Sequence, residues 1–218
     1  MPFRPPPPRR ERLSALLAER NQNPDAVARI DREIAASFGR RIAVLALDMC
    51  DFTATTQRRG IIHYLAMIEE MVRAATPAVE ANRGIVVKQE ADNLFAAFAN
   101  PKDALEAALD IFIAFEAVNT VVPDERDLHG CIGIGFGDII LVGHEDLFGA
   151  EVNLACKLGE DIAQKREILL TRAAHEALPP GPYRFSPRLC RLSGLEIEDS
   201  GSRSGWRARL VSRLAAPK

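Results

Sequence analysis

Long apolar runs, basic blocks and paired cysteines are all missing from this sequence. No run approaches the roughly eighteen apolar residues of a membrane-spanning helix, and no apolar segment follows the basic N-terminus as a signal peptide requires. The formal net charge is −2, and no basic cluster is interleaved with aromatic residues, which argues against a nucleic-acid partner. The four cysteines show no CxxC spacing, so we interpret them as free thiols in a reducing cytoplasm. We expect an unprocessed cytoplasmic protein that does not bind membranes.

Several motifs that would identify an enzyme class are also absent. The chain has no GxSxG and no GxxxxGK[ST], which argues against an α/β-hydrolase and a P-loop site. Its four histidines lack HExxH or HxH spacing, which argues against a zinc hydrolase. The run from Gly133 to Gly137 is rich in glycine but does not match GxGxxG, and apolar residues rather than a helix follow it. A dinucleotide fold is therefore not supported.

A polar tip between two short apolar strands is the most informative stretch of the chain. The strands are expected at Ile85 to Val87 and Leu94 to Phe98, and the tip between them contains Lys88 and Asp92. Asp92 alone could be a turn residue. However, Asp48 closes another apolar strand, so both carboxylates would project from one end of a sheet if the strands are neighbours. Two carboxylates beside a lysine suggest Mg²⁺ and a phosphate ester.

The order of predicted elements indicates the fold class. From residue 42 to residue 136 the pattern is β-α-β-β-α-β, an α/β (α+β) ferredoxin-like arrangement with a mixed sheet and both helices on one face. We expect the helices at about 60–82 and 101–119. The first should bury Ile61, Leu65, Ile68 and Val72. A second hairpin arm at 139–142, a helix at 148–163 and C-terminal edge strands, including one at 190–197, extend this core.

The N-terminal segment differs in composition from the rest. We expect residues 1–40 to be a proline-rich leader with short helices, and residues 41–218 to form the main domain. The polyproline run at 5–8 cannot build a core. The following helix, to Phe38, carries an apolar stripe of Val27, Ile30, Ile34 and Phe38. That stripe must be buried either on the main domain or on a second copy of the chain.

Three polar segments, taken in chain order, match motifs of one known family. The segment Asp48-Met-Cys-Asp-Phe-Thr53 is similar to D-I-x-G-F-[ST], and Lys88-Gln-Glu-Ala-Asp92 is similar to K-x-x-G-D. The third segment, Gly149-Ala-Glu-Val-Asn-Leu-Ala-Cys-Lys-Leu158, is similar to G-x-x-V-N-x-A-x-R-L. Together they resemble the catalytic domain of class III adenylate and guanylate cyclases, over residues 41 to 178. Each motif alone would be weak, whereas three in order on the expected elements are specific.

The resemblance implies a role for each matching residue. Asp48 and Asp92, with the backbone carbonyl of Met49, would hold two Mg²⁺ or Mn²⁺ ions, and backbone amides from Cys50 to Thr53, including Phe52, would cradle the triphosphate. Lys88 and Asp146 would read adenine, since lysine donates to N1 and aspartate accepts from the 6-amino group. Asn153 would orient the ribose, and Lys157 stands where the family has an arginine at the α-phosphate.

The implied activity is that of an adenylate cyclase acting in second-messenger signalling. ATP would be converted to 3′,5′-cyclic AMP and pyrophosphate by in-line attack of the ribose 3′-hydroxyl. In the family, the metal acids and the purine-reading elements of one site belong to different domains, so the resemblance implies a homodimer. The alternatives are a nucleotide-binding pseudo-cyclase of low activity and a cyclase with another base preference. The sequence identifies no regulator.

The sequence departs from the family pattern at four places. Asp51 and Ala91 replace glycines, and Lys157 replaces an arginine and therefore lacks its planar five-donor fork. Near Leu192 to Leu195 the family often has a lysine for the terminal phosphates. None is in register here, and Arg191 is a possible substitute.

Overall fold

The computed structural model describes residues 10–188 and 205–210, so the polyproline run, Arg191 and the strand expected at 190–197 lie outside it. The helices are α1 (Arg10–Gln22), α2 (Val27–Phe38), α3 (Phe52–Arg59), α4 (Ile61–Ala81), α5 (Pro101–Asn119), α6 (Ala150–Lys157) and α7 (Arg172–Glu176). The strands are β1 (Gly39–Met49), β2 (Ile85–Glu90), β3 (Asn93–Phe98), β4 (Gly130–Val142), β5 (Asp146–Phe148), β6 (Ile168–Leu170), β7 (Tyr183–Arg188) and β8 (Gly205–Leu210).

The strands form one mixed sheet in the order β2-β3-β1-β4-β6-β8-β7, with β5 paired to the end of β4. β1 is antiparallel to both β3 and β4, whereas β4 and β6 run parallel. The elements β1, α4, β2, β3, α5 and β4 follow one another along the chain, which confirms the predicted β-α-β-β-α-β order. β1 therefore lies at the centre, between the hairpin and the long strand β4.

The two faces of the sheet are covered by different helices. Leu45 and Leu47 of β1 pack in one core with residues of α4 and α5, so the two crossover helices share a face as predicted. Val44 and Ala46 point the other way and pack with Val152 of α6. This alternation along β1 follows from the two-residue period of a strand. The helix expected to carry ribose and phosphate contacts thus lies on the face opposite α4 and α5.

Glycines on β4 allow α6 to approach the sheet closely. A Cβ atom at Gly133 would overlap the backbone carbonyl of Ala155, and one at Gly135 would overlap the carbonyl of Glu151. The Glu151 carboxylate also accepts hydrogen bonds from the Phe136 amide at 3.0 Å and the Thr171 hydroxyl at 2.6 Å. The glycine-rich run therefore serves close packing between helix and strand.

The predicted buried face of α4 is partly wrong. Ile68 is buried, but Ile61 and Leu65 are 49% and 55% exposed, and the buried side is formed by Tyr64, Met67 and Met71. The first turns of this helix are apolar on most sides, so the sequence period does not identify which side faces the sheet. Tyr64 faces inward because its hydroxyl reaches a polar partner at the end of the sheet.

Three local predictions also differ from the structure. The expected arms at 131–136 and 139–142 are one strand, β4, because Asp138 pairs with Arg41 of β1 instead of turning. α3 was not predicted, since its threonine-rich sequence has low helix propensity. The helix expected at 148–163 begins as β5, continues as α6 and ends in a π-helical turn at Leu158–Ile162.

The N-terminal helices pack on the chain's own sheet. Ile30, Ile34 and Phe38 are buried in a cluster with residues of α1 and with Val142 of β4. Of the two locations that the sequence left open for the apolar stripe, the structure therefore shows the intramolecular one. None of the helices in the described ranges has the length and apolarity needed to cross a bilayer.

Candidate active site

The two acids predicted to bind metal lie at the same end of the sheet. Asp48 faces Asn93 in the register of β1 and β3, which places it beside the hairpin turn that carries Asp92. The Met49 amide donates a hydrogen bond to the Asp92 carbonyl at 3.3 Å. The sequence analysis required the strands of the two acids to be neighbours, and in the structure they are.

Negative charge accumulates at this end of the sheet. Burial, the Asp92 carboxylate and Glu160 raise the pKa of Asp48 to about 7. The Tyr64 hydroxyl donates to Asp92 Oδ2 at 3.1 Å, and burial together with Asp92 raises the pKa of Tyr64. Glu160 lies in the π-helical turn, where burial and the neighbouring acids Asp161 and Asp92 raise its pKa. Sequence reasoning missed both Tyr64 and Glu160.

The donor set at this end fits a hard divalent cation. Both charged groups that act on Asp48 are acids, so a cation would relieve repulsion. The side-chain oxygen of Asn93 is buried directly across from Asp48 and has no hydrogen-bond partner among the residues that the structure describes. The described residues contain no group of three or more His, Cys, Asp or Glu side chains that could hold a metal. Mg²⁺ commonly binds one or two carboxylates and completes its shell with water and substrate phosphates.

Lys88 and Asp146, the two residues predicted to read the base, lie in contact. Lys88 Nζ lies 3.0 Å from Asp146 Oδ1 and 2.7 Å from Glu90 Oε2, and it sits over the Phe95 ring at 5.1 Å. Burial alone would lower the pKa of Lys88, but its hydrogen bonds to Glu90 and Asp146 outweigh burial and raise the pKa. A register shift in the hairpin between Val86 and Lys88 precedes the pair.

Both carboxylate oxygens of Asp146 have polar partners. It is 8% exposed, and its Oδ1 also accepts from the Leu147 amide at 2.9 Å. Its Oδ2 accepts from Nη1 of Arg10, the first residue of α1, at 3.3 Å. Arg10 is 136 positions away in sequence, and no local pattern could have predicted this contact.

The segment expected to cradle phosphate forms a tight turn into a helix. Asp51 has φ 69°, and its carbonyl accepts from the Thr55 amide at 2.9 Å in the first turn of α3. Its carboxylate forms an ion pair with Lys165. The backbones of Phe52 and Thr53 begin α3, whereas their side chains lie outside the described atoms.

Both glycine replacements occupy the left-handed region of backbone space. Ala91 has φ 50°, and Asp51 has φ 69°. Aspartate tolerates this conformation through its short polar side chain, which alanine lacks. The family pattern of glycine at these two positions is thus consistent with the backbone seen here.

Two cysteines meet beside the acids. Cys50 Sγ and Cys131 Sγ are 2.9 Å apart although 81 positions separate them in sequence. Both are free thiols, as expected. Cys50 also lines a cavity of about 230 Å³ together with Asp51, His129 and Lys165.

The two remaining predicted residues lie on α6. Asn153 is exposed, and Lys157 lies one turn later with its Nζ 4.0 Å from Asp161 Oδ2. The structure thus brings Asp48 to Asp92 and Lys88 to Asp146. Within the described residues, no side-chain hydrogen bond joins Asn153 to either pair.

Comparison with curated proteins finds adenylate cyclases. The chain is 28% identical over 141 residues to putative adenylate cyclase 3 of Rhizobium meliloti, which covers 64% of this chain and 24% of that protein. It is 28% identical over 98 residues to photoactivated adenylate cyclase subunit beta of Euglena gracilis, covering 44% of this chain and 11% of that protein. The chain thus spans a quarter or less of these relatives' length. No protein-family model matches it.

Solved structures of cyclases share the fold. An adenylate/guanylate cyclase/hydrolase from Silicibacter pomeroyi is 26% identical, with a TM-score of 0.60 over 78% of this chain and 95% of that one. The guanylate cyclase domain of RhGC from Catenaria anguillulae, at 16% identity, has a TM-score of 0.62 over 79% of this chain and 97% of its own, a likeness of fold alone. In sequence and in fold, this chain is similar to the catalytic domains of class III adenylate/guanylate cyclases.

Proposed function

We propose that the protein is an adenylate cyclase, a phosphorus–oxygen lyase that converts ATP to 3′,5′-cyclic AMP and pyrophosphate in intracellular signalling. The observation that carries this proposal is the proximity of Asp48 and Asp92 at one end of the sheet. Among the described residues, the charged groups that shift the pKa of Asp48 are the acids Asp92 and Glu160. Names of curated relatives support adenine as the base.

The acids would bind two Mg²⁺ or Mn²⁺ ions together with the Met49 carbonyl. When bound, such ions lower the pKa of the ribose 3′-hydroxyl and neutralise charge on the departing pyrophosphate. Tyr64 would hold the Asp92 carboxylate in position through its 3.1 Å hydrogen bond. Asn93 offers a further neutral oxygen beside Asp48.

The turn after β1 would receive the triphosphate. The first amides of a helix have no intrahelical acceptor, so those at the start of α3 are available to phosphate oxygens. Asp51 would repel phosphate there, but its ion pair with Lys165 offsets that charge. Lys165 therefore reduces the effect of replacing the family's glycine with an acid.

Lys88 and Asp146 would select adenine. The 6-amino group would donate to Asp146 Oδ2, because Oδ1 already accepts from Lys88 and from the Leu147 amide. Oδ2 is the atom to which Arg10 donates, so adenine would have to displace Arg10. Guanine would place an acceptor against the carboxylate and a donor against the lysine, each mismatch costing about 1–3 kcal/mol.

The remaining roles require a second chain. Asn153 would orient the ribose and Lys157 would neutralise the α-phosphate, and both would act, together with Lys88 and Asp146, beside the metal acids of the partner in a two-fold homodimer. This arrangement supports two equivalent sites at the interface. It is consistent with the exposure of Asn153.

The first test is turnover by the purified full chain. With Mn²⁺ and ATP we expect cyclic AMP and pyrophosphate in equal amounts, and much less product from GTP. Nucleotide binding without turnover would contradict the proposal and favour a binding module. Equal turnover of GTP would contradict the assignment of Lys88 and Asp146.

A second test addresses the shared site. Asp48→Ala and Asn153→Ala should each be inactive as homodimers. Mixed dimers, confirmed by two affinity tags, should regain activity because one of their two sites has every residue intact. If confirmed mixed dimers stay inactive, the site lies within one chain and the dimer mechanism is wrong.

A further inference from the structure

We propose that Cys50 and Cys131 form an oxidative modification site, at which a hydroperoxide produces a reversible disulfide that lowers nucleotide turnover. The effect on turnover rests on the proposed cyclase function, whereas formation of the disulfide does not. This proposal concerns a residue pair that the catalytic roles described above leave unused.

The register of β1 and β4 brings the two thiols together. Cys131 faces Asp48, and the Cys50 amide donates to the His129 carbonyl at 3.0 Å, so the ladder continues one residue beyond β1. Cys50 and Cys131 are therefore diagonal neighbours. Their sulfur atoms are 2.9 Å apart, and a disulfide bond measures about 2.05 Å. Closing the bond requires the sulfurs to approach by less than about 1 Å.

The two cysteines differ in accessibility. Cys131 is 6% exposed, whereas Cys50 is partly exposed and lines the 230 Å³ cavity. A small peroxide can therefore reach Cys50 through that cavity, whereas Cys131 is buried next to Cys50. An accessible thiol next to a second thiol that can resolve its sulfenic acid is one feature of redox-sensing cysteines.

The chemistry is a two-electron oxidation in two steps. The Cys50 sulfur attacks one peroxide oxygen, the O–O bond breaks, and water leaves as Cys50 becomes a sulfenic acid. The Cys131 sulfur then attacks the Cys50 sulfur, the S–O bond breaks, and a second water leaves as the S–S bond forms. Two thiols have lost two electrons and two protons to hydrogen peroxide. A dithiol reduces the bond by exchange.

Oxidation would alter the site through the backbone. Cys50 lies between Met49, whose carbonyl is a proposed metal ligand, and Asp51, which begins the turn into α3. Pulling Cys50 toward β4 shifts these groups by a fraction of an ångström. A misplacement of about 1 Å can reduce a rate about 10²-fold, so we expect turnover to fall at least tenfold.

The experiment maps the disulfide in the full-length protein. The reduced protein is treated with hydrogen peroxide, remaining thiols are alkylated, and peptides are analysed by mass spectrometry without reduction. We expect a linked pair of peptides containing Cys50 and Cys131, which disappears after treatment with a dithiol. Cys131→Ser and Cys131→Ala should abolish that pair, and Cys156→Ser, the matched control, should retain it.

Turnover is measured on the same samples, each relative to the same protein kept reduced. The unmodified chain and Cys156→Ser should lose activity with peroxide and regain it with a dithiol. The Cys131 variants should not show this reversible loss. A disulfide between either cysteine and another cysteine would contradict the proposed pair. So would Cys50 found as sulfenic acid without any disulfide. A mapped disulfide with unchanged turnover would overturn its regulatory effect, and a mapped disulfide in a protein without any cyclase activity would refute the proposed function instead.

Discussion

The metal end and the base end of one chain, which would belong to different sites of the proposed dimer, differ in how their charges are balanced. At the metal end, Asp48, Asp92 and Glu160 repel one another, and the pKa of Asp48 is raised to about 7. At the base end, Asp146 accepts from Lys88, Arg10 and a backbone amide. A bound cation would relieve the repulsion at the metal end, whereas a bound base would have to displace Arg10 from Asp146 at the base end. Residues four positions apart in one hairpin, Lys88 and Asp92, thus belong to sites with opposite requirements.

Replacing either acid at the metal end should have the largest effect on activity. Asp48→Asn and Asp92→Asn should reduce kcat/KM for ATP by about 10³-fold or more, since bound metal contributes several kcal/mol. Asp138→Asn is the matched control, because that carboxylate is 84% exposed and lies farther along the same sheet. A loss below tenfold in steady-state kinetics would show that the two acids do not carry the chemistry.

Truncating the lysine should affect the base end alone. Lys88→Ala should reduce the ratio of kcat/KM for ATP over GTP by about 5–150-fold, corresponding to about 1–3 kcal/mol. Lys102→Ala is the control, because Lys102 is an exposed lysine that pairs with Glu106 on α5. Mn²⁺ affinity should stay unchanged in both variants by calorimetry. A ratio unaffected by Lys88→Ala would remove that residue from base selection.

The stability of the metal-free protein should depend on the ionisation of Asp48. In the unfolded chain this carboxyl titrates near pH 4, but in the folded chain it titrates near 7, so the folded state binds more protons between these values. Stability therefore falls as pH rises from about 4 to about 7. We expect a lower Tm at pH 8 than at pH 6.

Two comparisons test this assignment. Asp48→Asn should remove most of the difference in Tm, and Mn²⁺ should raise the Tm of the unmodified protein more at pH 8 than at pH 6. Glu160, whose pKa is also raised, contributes in the same direction. If the Tm of Asp48→Asn falls with pH as steeply as that of the unmodified protein, Asp48 is not the group responsible.

Replacing Arg10 should leave Asp146 Oδ2 available to the base and so favour nucleotide binding. An ion pair with an exposed partner contributes about 0.2–1 kcal/mol, and Arg10 is 59% exposed. Arg10→Ala should therefore lower KM for ATP by up to about fivefold without changing Mn²⁺ affinity. Arg12→Ala is the matched control, since Arg12 lies on the same helix and pairs with Glu33 instead. A rise in KM would mean that Arg10 assists nucleotide binding.

The smallest effect concerns the hairpin turn. Ala91 has φ 50°, a region that is unfavourable for alanine by about 1–2 kcal/mol. Glycine removes this strain but makes the unfolded chain more flexible, so Ala91→Gly should raise the free energy of unfolding by about 1 kcal/mol at most. Denaturant titration measures this change. A loss of stability would show that the turn holds Ala91 without strain.

Sequence patterns predicted the metal end better than its surroundings. Asp48 and Asp92 follow or precede strongly apolar strands, so their strands, their pairing and their common end could be inferred. The buried side of α4 could not, because Ile61, Leu65 and Tyr64 are all apolar enough to face the core. The contact between Arg10 and Asp146 and the meeting of Cys50 with Cys131 depend on packing and register between distant segments. Those are set by the whole fold rather than by local propensity.

The bare backbone of β4 also affects how mutational data on this protein would be interpreted. Any side chain at Gly133 or Gly135 would push away the helix that carries Asn153 and Lys157. In a saturation screen scored only by second-messenger output, these two positions would be as intolerant as Asp48, although they contribute no atom to the reaction. Pairing the screen with a readout of folded protein abundance separates the two classes. Variants at the glycines should lose both signals, whereas Asp48→Asn should lose output alone.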